Sequence, residues 1–277
     1  MSSSFCDAAG WTIAWADEFN APTLNTSRWN IEQGVVPWSH IEASPSKRVG
    51  ADCHGAGCAR LGSCREAACT IDSVHVRDGR LVLTSQRRHV SGRNFTTGAV
   101  NTWGKVSWRV EDAAGPFRMC IRAKLPGSPG HAAGVWPAHW LMPHDDSCDP
   151  DEGEMDIMEM VDGDGTVYST YHWQEDFPSV RCAFPKNHQS VSAHANLSRG
   201  WDKAFHEFAV ERGAKHVAFA IDGSVILNTS RARFVSVAWY LILNTAIGGG
   251  WPGSPHPDTA FPITHEIDYV RVASRQK

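Results

Sequence analysis

Three acids set close together in strand-like sequence carry the chemistry this chain suggests. They are Glu154, Asp156 and Glu159, within GEMDIMEMVDGDG at residues 153–165. On a regular strand Glu154 and Asp156 share a face and Glu159 points to the other. One extra residue between Asp156 and Glu159 repairs that parity, so a β-bulge at Ile157-Met158 would bring all three acids to one face. Like charges that close keep at least one carboxyl protonated at neutral pH. A proton-holding acid beside an ionised carboxylate is what retaining glycoside hydrolysis requires. One carboxylate attacks the anomeric carbon, and the other protonates the leaving oxygen and later deprotonates water. The central Asp would tune its neighbours by hydrogen bonding. Taken alone, the acids fit two other readings. Clustered carboxylates also bind calcium, and DGDG at 162–165 is loosely calcium-like, although the EF-hand spacing is absent. A solvated acidic strand edge is the third reading.

The elements that must position these acids read as strands. In FRMCIRAKL, Phe117, Met119, Ile121, Ala123 and Leu125 take one face, and Arg118, Cys120, Arg122 and Lys124 the other. HVAFAIDGSVILN and VHVRDGRLVLTS each place Asp-Gly between two apolar runs, which is a hairpin signal. Further strands are expected at Lys105–Val110, Glu154–Met160, Val167–Trp173, Phe205–Glu211, Val237–Leu243 and Glu266–Val272. Many short strands with Gly, Pro and Asp turns predict an all-β, two-sheet sandwich. No linker splits residues 1–277, so one domain is expected. The segments 34–70, 174–200 and 250–262 read as long loops, which in an enzyme would wall a cleft.

The chain has 277 residues with 26 Lys+Arg against 30 Asp+Glu, a net charge of −4. That balance argues against a nucleic-acid or anionic-membrane partner. Its longest apolar run, Val237 to Leu243, is far short of the ~20 residues of a spanning helix. Hydrophobic residues are 42% and charged residues 20%, which supports a core and excludes disorder. There are 12 Trp; a Trp-rich chain often displays some rings, and flat sugar faces stack on them.

Eight cysteines occur, four of them (Cys53, Cys58, Cys64, Cys69) in one Gly/Ala-rich stretch. No C-x-x-C pair exists, so the usual zinc and redox spacings are missing. An even number in such a stretch suggests a disulfide-stapled loop. Asn-x-Ser/Thr sequons lie at Asn25, Asn94, Asn196 and Asn228. Together these favour an extracellular or secretory location for a glycoprotein. Residues 1–20 show no basic n-region or apolar h-region, so the expected leader would have been trimmed.

GVWPAHWLMP (134–143) followed by GEMDIMEM (153–160) resembles the signature of glycoside hydrolase family 16, in its laminarinase-like branch with the motif E-[IL]-D-x-x-E. WADEFN (15–20), VRDGRLVLTS (76–85), RAKLPG (122–127), FHEFAVE (205–211), FAIDG (219–223), LNTAIGGGWPG (243–253) and EIDYVRV (266–272) follow in family order. The resemblance implies a curved β-jelly-roll with a substrate cleft on its concave face and retaining hydrolysis of internal β-linkages, most often in β-1,3-glucan. Glu154 then matches the nucleophile, Asp156 the assisting acid and Glu159 the acid/base, with Met158 the extra residue of the bulged motif. No cofactor is implied for catalysis. A structural calcium is implied on the convex side, at the backbone carbonyls of Glu18 and Gly79 and the carboxylate of Asp268. The partner implied is a β-glucan, met by a monomer.

The same resemblance implies substrate contacts. Trp136 and Trp140 match W-P-A-x-W, His172 matches the family's T-x-H, and Asn244 lies in LNTA. Trp173 and Trp251 are weaker matches. The family's Asn-Glu pair before the Asp-Gly hairpin is here Arg65-Glu66, and its Thr-Ser-x-Arg is here TTGAV, so subsite preference is open. The Cys-rich segment 53–69 and the Cys148/Cys182 pair read as loop staples. Transglycosylation, mixed β-1,3/1,4-glucan hydrolysis and non-catalytic glucan binding use the same scaffold and stand as alternatives.

Overall fold

Two Asp-Gly turns make the hairpins the sequence predicts. Asp78 and Gly79 have φ of 51° and 70°, and Asp222 and Gly223 have φ of 49° and 78°. Two successive left-handed residues define a type I′ turn, whose twist matches that of the flanking strands. The structure is a computed structural model, and it describes residues 4–34, 64–110, 115–144, 152–176 and 187–275.

Seventeen strands are present among the described residues. The first nine are β1 (Trp11–Asp17), β2 (Asn30–Ile31), β3 (Ala67–Cys69), β4 (Val74–Arg77), β5 (Arg80–Val90), β6 (Arg93–Thr97), β7 (Ala99–Asn101), β8 (Phe117–Lys124) and β9 (Val135–Pro143). The rest are β10 (Glu154–Glu159), β11 (Thr166–Gln174), β12 (His188–Asn196), β13 (His206–Gly213), β14 (His216–Ile221), β15 (Ser224–Thr229), β16 (Trp239–Ile247) and β17 (Ile263–Arg275). They form two sheets. The ten-stranded sheet runs β15-β14-β13-β8-β17-β5-β6-β3, with β1 on β17 and β4 on β5. The seven-stranded sheet runs β12-β11-β10-β9-β16-β7-β2.

One apolar cluster joins the sheets. Met119, Ile121, Phe208 and Val270 enter it from the larger sheet, and Leu141, Met155, Tyr171 and Leu243 from the smaller. Alternation drives this arrangement: on β8, Phe117, Met119, Ile121 and Ala123 are all buried. Cys120, on the opposite face, is buried as well, because a disulfide ties it to Cys6. Cys64 and Cys69 are also bridged, a staple at the entry to β3. Cys53, Cys58, Cys148 and Cys182 lie outside the described residues. All four sequon asparagines are exposed. No helix among the described residues is long and apolar enough to cross a membrane.

Two expectations need correction. Lys105–Val110 forms no strand; only Trp108 makes a bridge, with Trp239, and Lys105 and Val106 fold back onto the Thr102 carbonyl instead. The segment 174–200 is not all loop. It contains β12, the polar edge strand of the smaller sheet, whose burial alternates between intermediate and exposed. An edge strand with one partner and one partly covered face, where Val191 and Ala195 meet the core, needs few apolar residues, so its sequence looks like a loop. Of the segment 34–70, residues 35–63 lie outside the described residues and the remainder contains β3, whereas 250–262 is irregular as expected.

Candidate active site

The bulge falls where parity requires it. Against β11, Asp156 pairs with Thr170 and Glu159 with Tyr168, three steps on one strand against two on the other. Against β9, Asp156 pairs with Trp140 and Met158 with His139, two steps against one. Ile157 and Met158 are both fully buried in the core. Two consecutive apolar side chains thus enter one interior, and Glu159 turns outward with Glu154 and Asp156. The Ser169 hydroxyl donates to the Ile157 carbonyl at 2.8 Å, satisfying a group that a bulge takes out of the ladder.

Glu154 and Glu159 are partly exposed, and Asp156 is buried. Burial raises Glu154 well above the usual glutamate range; the Asp156 charge, a side-chain hydrogen bond that protonated Glu154 donates to Asp156 and the Glu159 charge add to this, and His172 opposes it. Burial also raises Glu159, against the Trp136 hydrogen bond and the charges of His172 and Arg65. Trp136 Nε1 donates to Glu159 Oε1 at 3.0 Å. His172 Nε2 lies 3.0 Å from Asp156 Oδ2.

The remaining predicted contacts sort by strand parity. Trp136, Trp140, His172 and Asn244 share the open face with the acids. Trp140 Nε1 donates to Asn244 Oδ1 at 2.8 Å, and Asn244 pairs with Ala138, itself opposite Glu159. Trp173 is corrected: it follows His172 directly, so it points the other way, into the core beside Tyr171. Trp251 is 45% exposed and meets Trp136 edge-on at 5.5 Å. Glu66 accepts from Ser254 Oγ at 2.8 Å and lies over Gly248, where a Cβ would collide with it. A cavity of about 280 Å³ opens between Glu66 and the β5–β6 turn, at Gly92 to Phe95. It does not include the acids, which lie on an open sheet face rather than in an enclosed void.

Two residues near the acids were not foreseen, Tyr168 and His188, and a third, Arg65, was expected only as a departure from the family's Asn-Glu pair. Tyr168 stands opposite Glu159 and meets Trp251 at 5.1 Å; its parity with His172 was the available signal. Arg65 lies 5.1 Å over the Trp136 ring. His188 of β12 reaches His172, Nε2 to Nδ1, at 2.9 Å. No local sequence signal marked it. Beneath the bulge a second histidine pair spans the sheets: His139 Nε2 and His265 Nε2 are 3.0 Å apart.

The calcium-like reading of 162–165 has another explanation. Asp162 accepts from the Gly134 amide and Asp164 from the Thr166 amide, each at 2.7 Å, so both cap turns. The other proposed calcium residues converge on the larger sheet. Glu18 follows β1, which pairs with β17, and Gly79 turns β4 into β5, which also pairs with β17. Asp268 sits at a β17 bulge between Ile267 and Tyr269. A Cβ on Gly79 would lie 3.3 Å from Asn20 Oδ1, which puts one side-chain oxygen beside this turn, and among the described residues no group of three His, Cys, Asp or Glu side chains is placed to hold a metal ion. Here the Asp268 carboxylate is paired with Arg122, and the Glu18 carboxylate with Arg271. Neither pairing involves the backbone carbonyls of Glu18 and Gly79.

Comparisons with known proteins point to one family. The sequence model of Glycosyl hydrolases family 16 matches residues 65–271. The chain is 28% identical to a glucan endo-1,3-beta-glucosidase of Niallia circulans, over 97% of this chain and 38% of that protein. It is 26% identical to a beta-glucanase of Rhodothermus marinus, over 96% of this chain and 86% of the other. The laminarinase catalytic domain of Thermotoga maritima superposes with a TM-score of 0.75 at 27% identity, covering 96% of this chain and 99% of that one. The chain therefore spans well under half of the first relative and most of the second.

Proposed function

This chain belongs to glycosyl hydrolases family 16, and from that premise we propose that it cleaves internal β-1,3-glucosidic bonds of laminarin-type β-glucans with retention of configuration. The observation that carries the reading is the bulge at Ile157-Met158, which sets two glutamates on either side of an aspartate on one open sheet face. Glu154 is the nucleophile. It shares a hydrogen bond with Asp156, so Asp156 takes up the proton as Glu154 ionises, while His172 supports Asp156 at Oδ2. Glu159 is the acid/base. Burial favours its protonated form, as a proton donor needs. Glu159 protonates the leaving glycosidic oxygen as Glu154 attacks the anomeric carbon. The anionic Glu159 then deprotonates water, which releases the sugar from Glu154. The Trp136 N–H fixes Glu159 Oε1 through both steps, and Trp251 and Tyr168 offer aromatic surface beside it.

Laminarin, lichenan, curdlan and carrageenan, offered in parallel with product masses and the anomer of the first product recorded, test this reading. Short β-anomeric oligomers from laminarin are expected. An intact fold that releases no new reducing ends from laminarin overturns the reading, and products longer than the substrate identify transfer to sugar instead of water. A structural calcium at the Glu18 and Gly79 carbonyls and the Asp268 carboxylate, with Arg122 turned away, belongs to the same proposal. So does secretion, supported by the exposed sequons and the two bridged cysteine pairs.

A further inference from the structure

The carboxylate cluster does not end at Asp156. His172 Nε2 lies 3.0 Å from Asp156 Oδ2, and His172 Nδ1 lies 2.9 Å from His188 Nε2. The two imidazoles are only 15° from coplanar with centroids 5.0 Å apart. With a ring nitrogen of each in contact, that is an edge-to-edge hydrogen bond in the ring plane, not a face-to-face stack. His172 is therefore held at both nitrogens, from β10 on one side and β12 on the other. A ring held so has one orientation; a ring held at one nitrogen can flip.

We propose that His188 is a positioning residue for the reaction: it locks the His172 ring so that Nε2 stays on Asp156, and through Asp156 it governs where the proton shared with Glu154 resides. The inference rests on the reading of Glu154 and Asp156 given above. The ionisable groups facing His172 are Glu154, Asp156 and Glu159 on β10 and His188 on β12. His188 faces His172. Burial first, and the His172 charge second, lower the pKa of His188, which favours its neutral form, and a neutral His188 whose Nε2 carries no proton accepts from a charged His172 at Nδ1. The His172 charge lowers Glu154; a loosened His172 lets Glu154 rise, which moves the acid limb of the kcat profile to higher pH.

His188→Ala is expected to lower kcat about 10-fold, as loss of an orienting partner does, with KM changed less than about twofold. Its acid limb should move upward. His188→Gln, whose amide reaches the place of ring Nε2, should restore activity to within about threefold of wild type and return the limb. In a His172→Ala background, His188→Ala should add nothing. Wild-type kcat and pH profile in His188→Ala overturn the proposal. So does a loss repeated in the His172→Ala background, or a Gln variant as poor as the Ala variant. Imidazole ¹⁵N and N–H spectra of the resting protein read the contact without turnover. A protected His172 ring proton that survives His188→Ala also overturns it, and a preparation that cleaves no laminarin leaves this measurement standing.

Discussion

Two histidine pairs flank the smaller sheet, one on its open face and one joining its inner face to the larger sheet, and the two share nearly the same internal geometry. His172 and His188 touch at 2.9 Å, His139 and His265 at 3.0 Å; both pairs have centroids 5.0 Å apart and planes 15° apart. Their surroundings differ. The first pair is partly exposed and ends on a carboxylate. The second is sealed between the sheets, with Thr245 Oγ1 at 3.2 Å from His265 Nδ1 and no partner for His139 Nδ1. Burial lowers His139 well below its usual value and takes His265 to about 3. The same contact is thus a device for handling protons on one face and a neutral cross-link on the other. Acid acts on the two faces in opposite directions. Glu154 is raised in the fold, so its ionised form costs stability, and that cost is relieved as pH falls through the raised value towards 4.5. His139 and His265 are depressed in the fold, so their contribution is full above 6.5 and is lost as pH falls below it.

The contrast is broken most directly at the nucleophile. Glu154→Gln should lower kcat at least about 10³-fold yet raise the melting temperature near pH 8, with the gain vanishing towards pH 4.5. A destabilised variant would make the acid structural and end the distinction between the faces. On the core side, His265→Ala should lower unfolding free energy by roughly 2–4 kcal/mol, through a cavity and an orphaned His139. The kcat pH profile of the folded fraction should stay that of wild type. Replacing both His139 and His265 with Leu should flatten the stability loss below pH 6.5, and denaturant midpoints at several pH values measure it. An unchanged slope would place acid sensitivity elsewhere. Trp136→Phe removes only an N–H from Glu159. Because that bond lowers Glu159, the alkaline limb should move up, with kcat down about 10-fold. The smallest effect belongs to the far sheet. Calcium against chelator should raise the melting temperature by about a few degrees and leave kcat alone, and Asp268→Asn should abolish that response.

Much of this was legible along the chain. Alternation gave most strands, Asp-Gly gave both hairpins, and the spacing of Glu154, Asp156 and Glu159 gave the bulge from parity alone. Parity also separates His172 from Trp173: adjacent strand residues cannot face the same sugar. Lys105–Val110 read as a strand because apolar spacing does not reveal whether a neighbouring strand exists to pair with it. β12 read as loop because its apolar face is small, Val191 and Ala195 among polar neighbours, as an edge strand allows.

Residue order therefore determined which side chains each strand shows to each face, since backbone geometry makes that a local property. Only the tertiary structure decided which strands lie side by side. That choice joined His172 to His188 across 16 residues and His139 to His265 across 126. It also set one pair against carboxylates at an open face and the other in apolar surroundings, and the dielectric around each pair fixes what its protons can do.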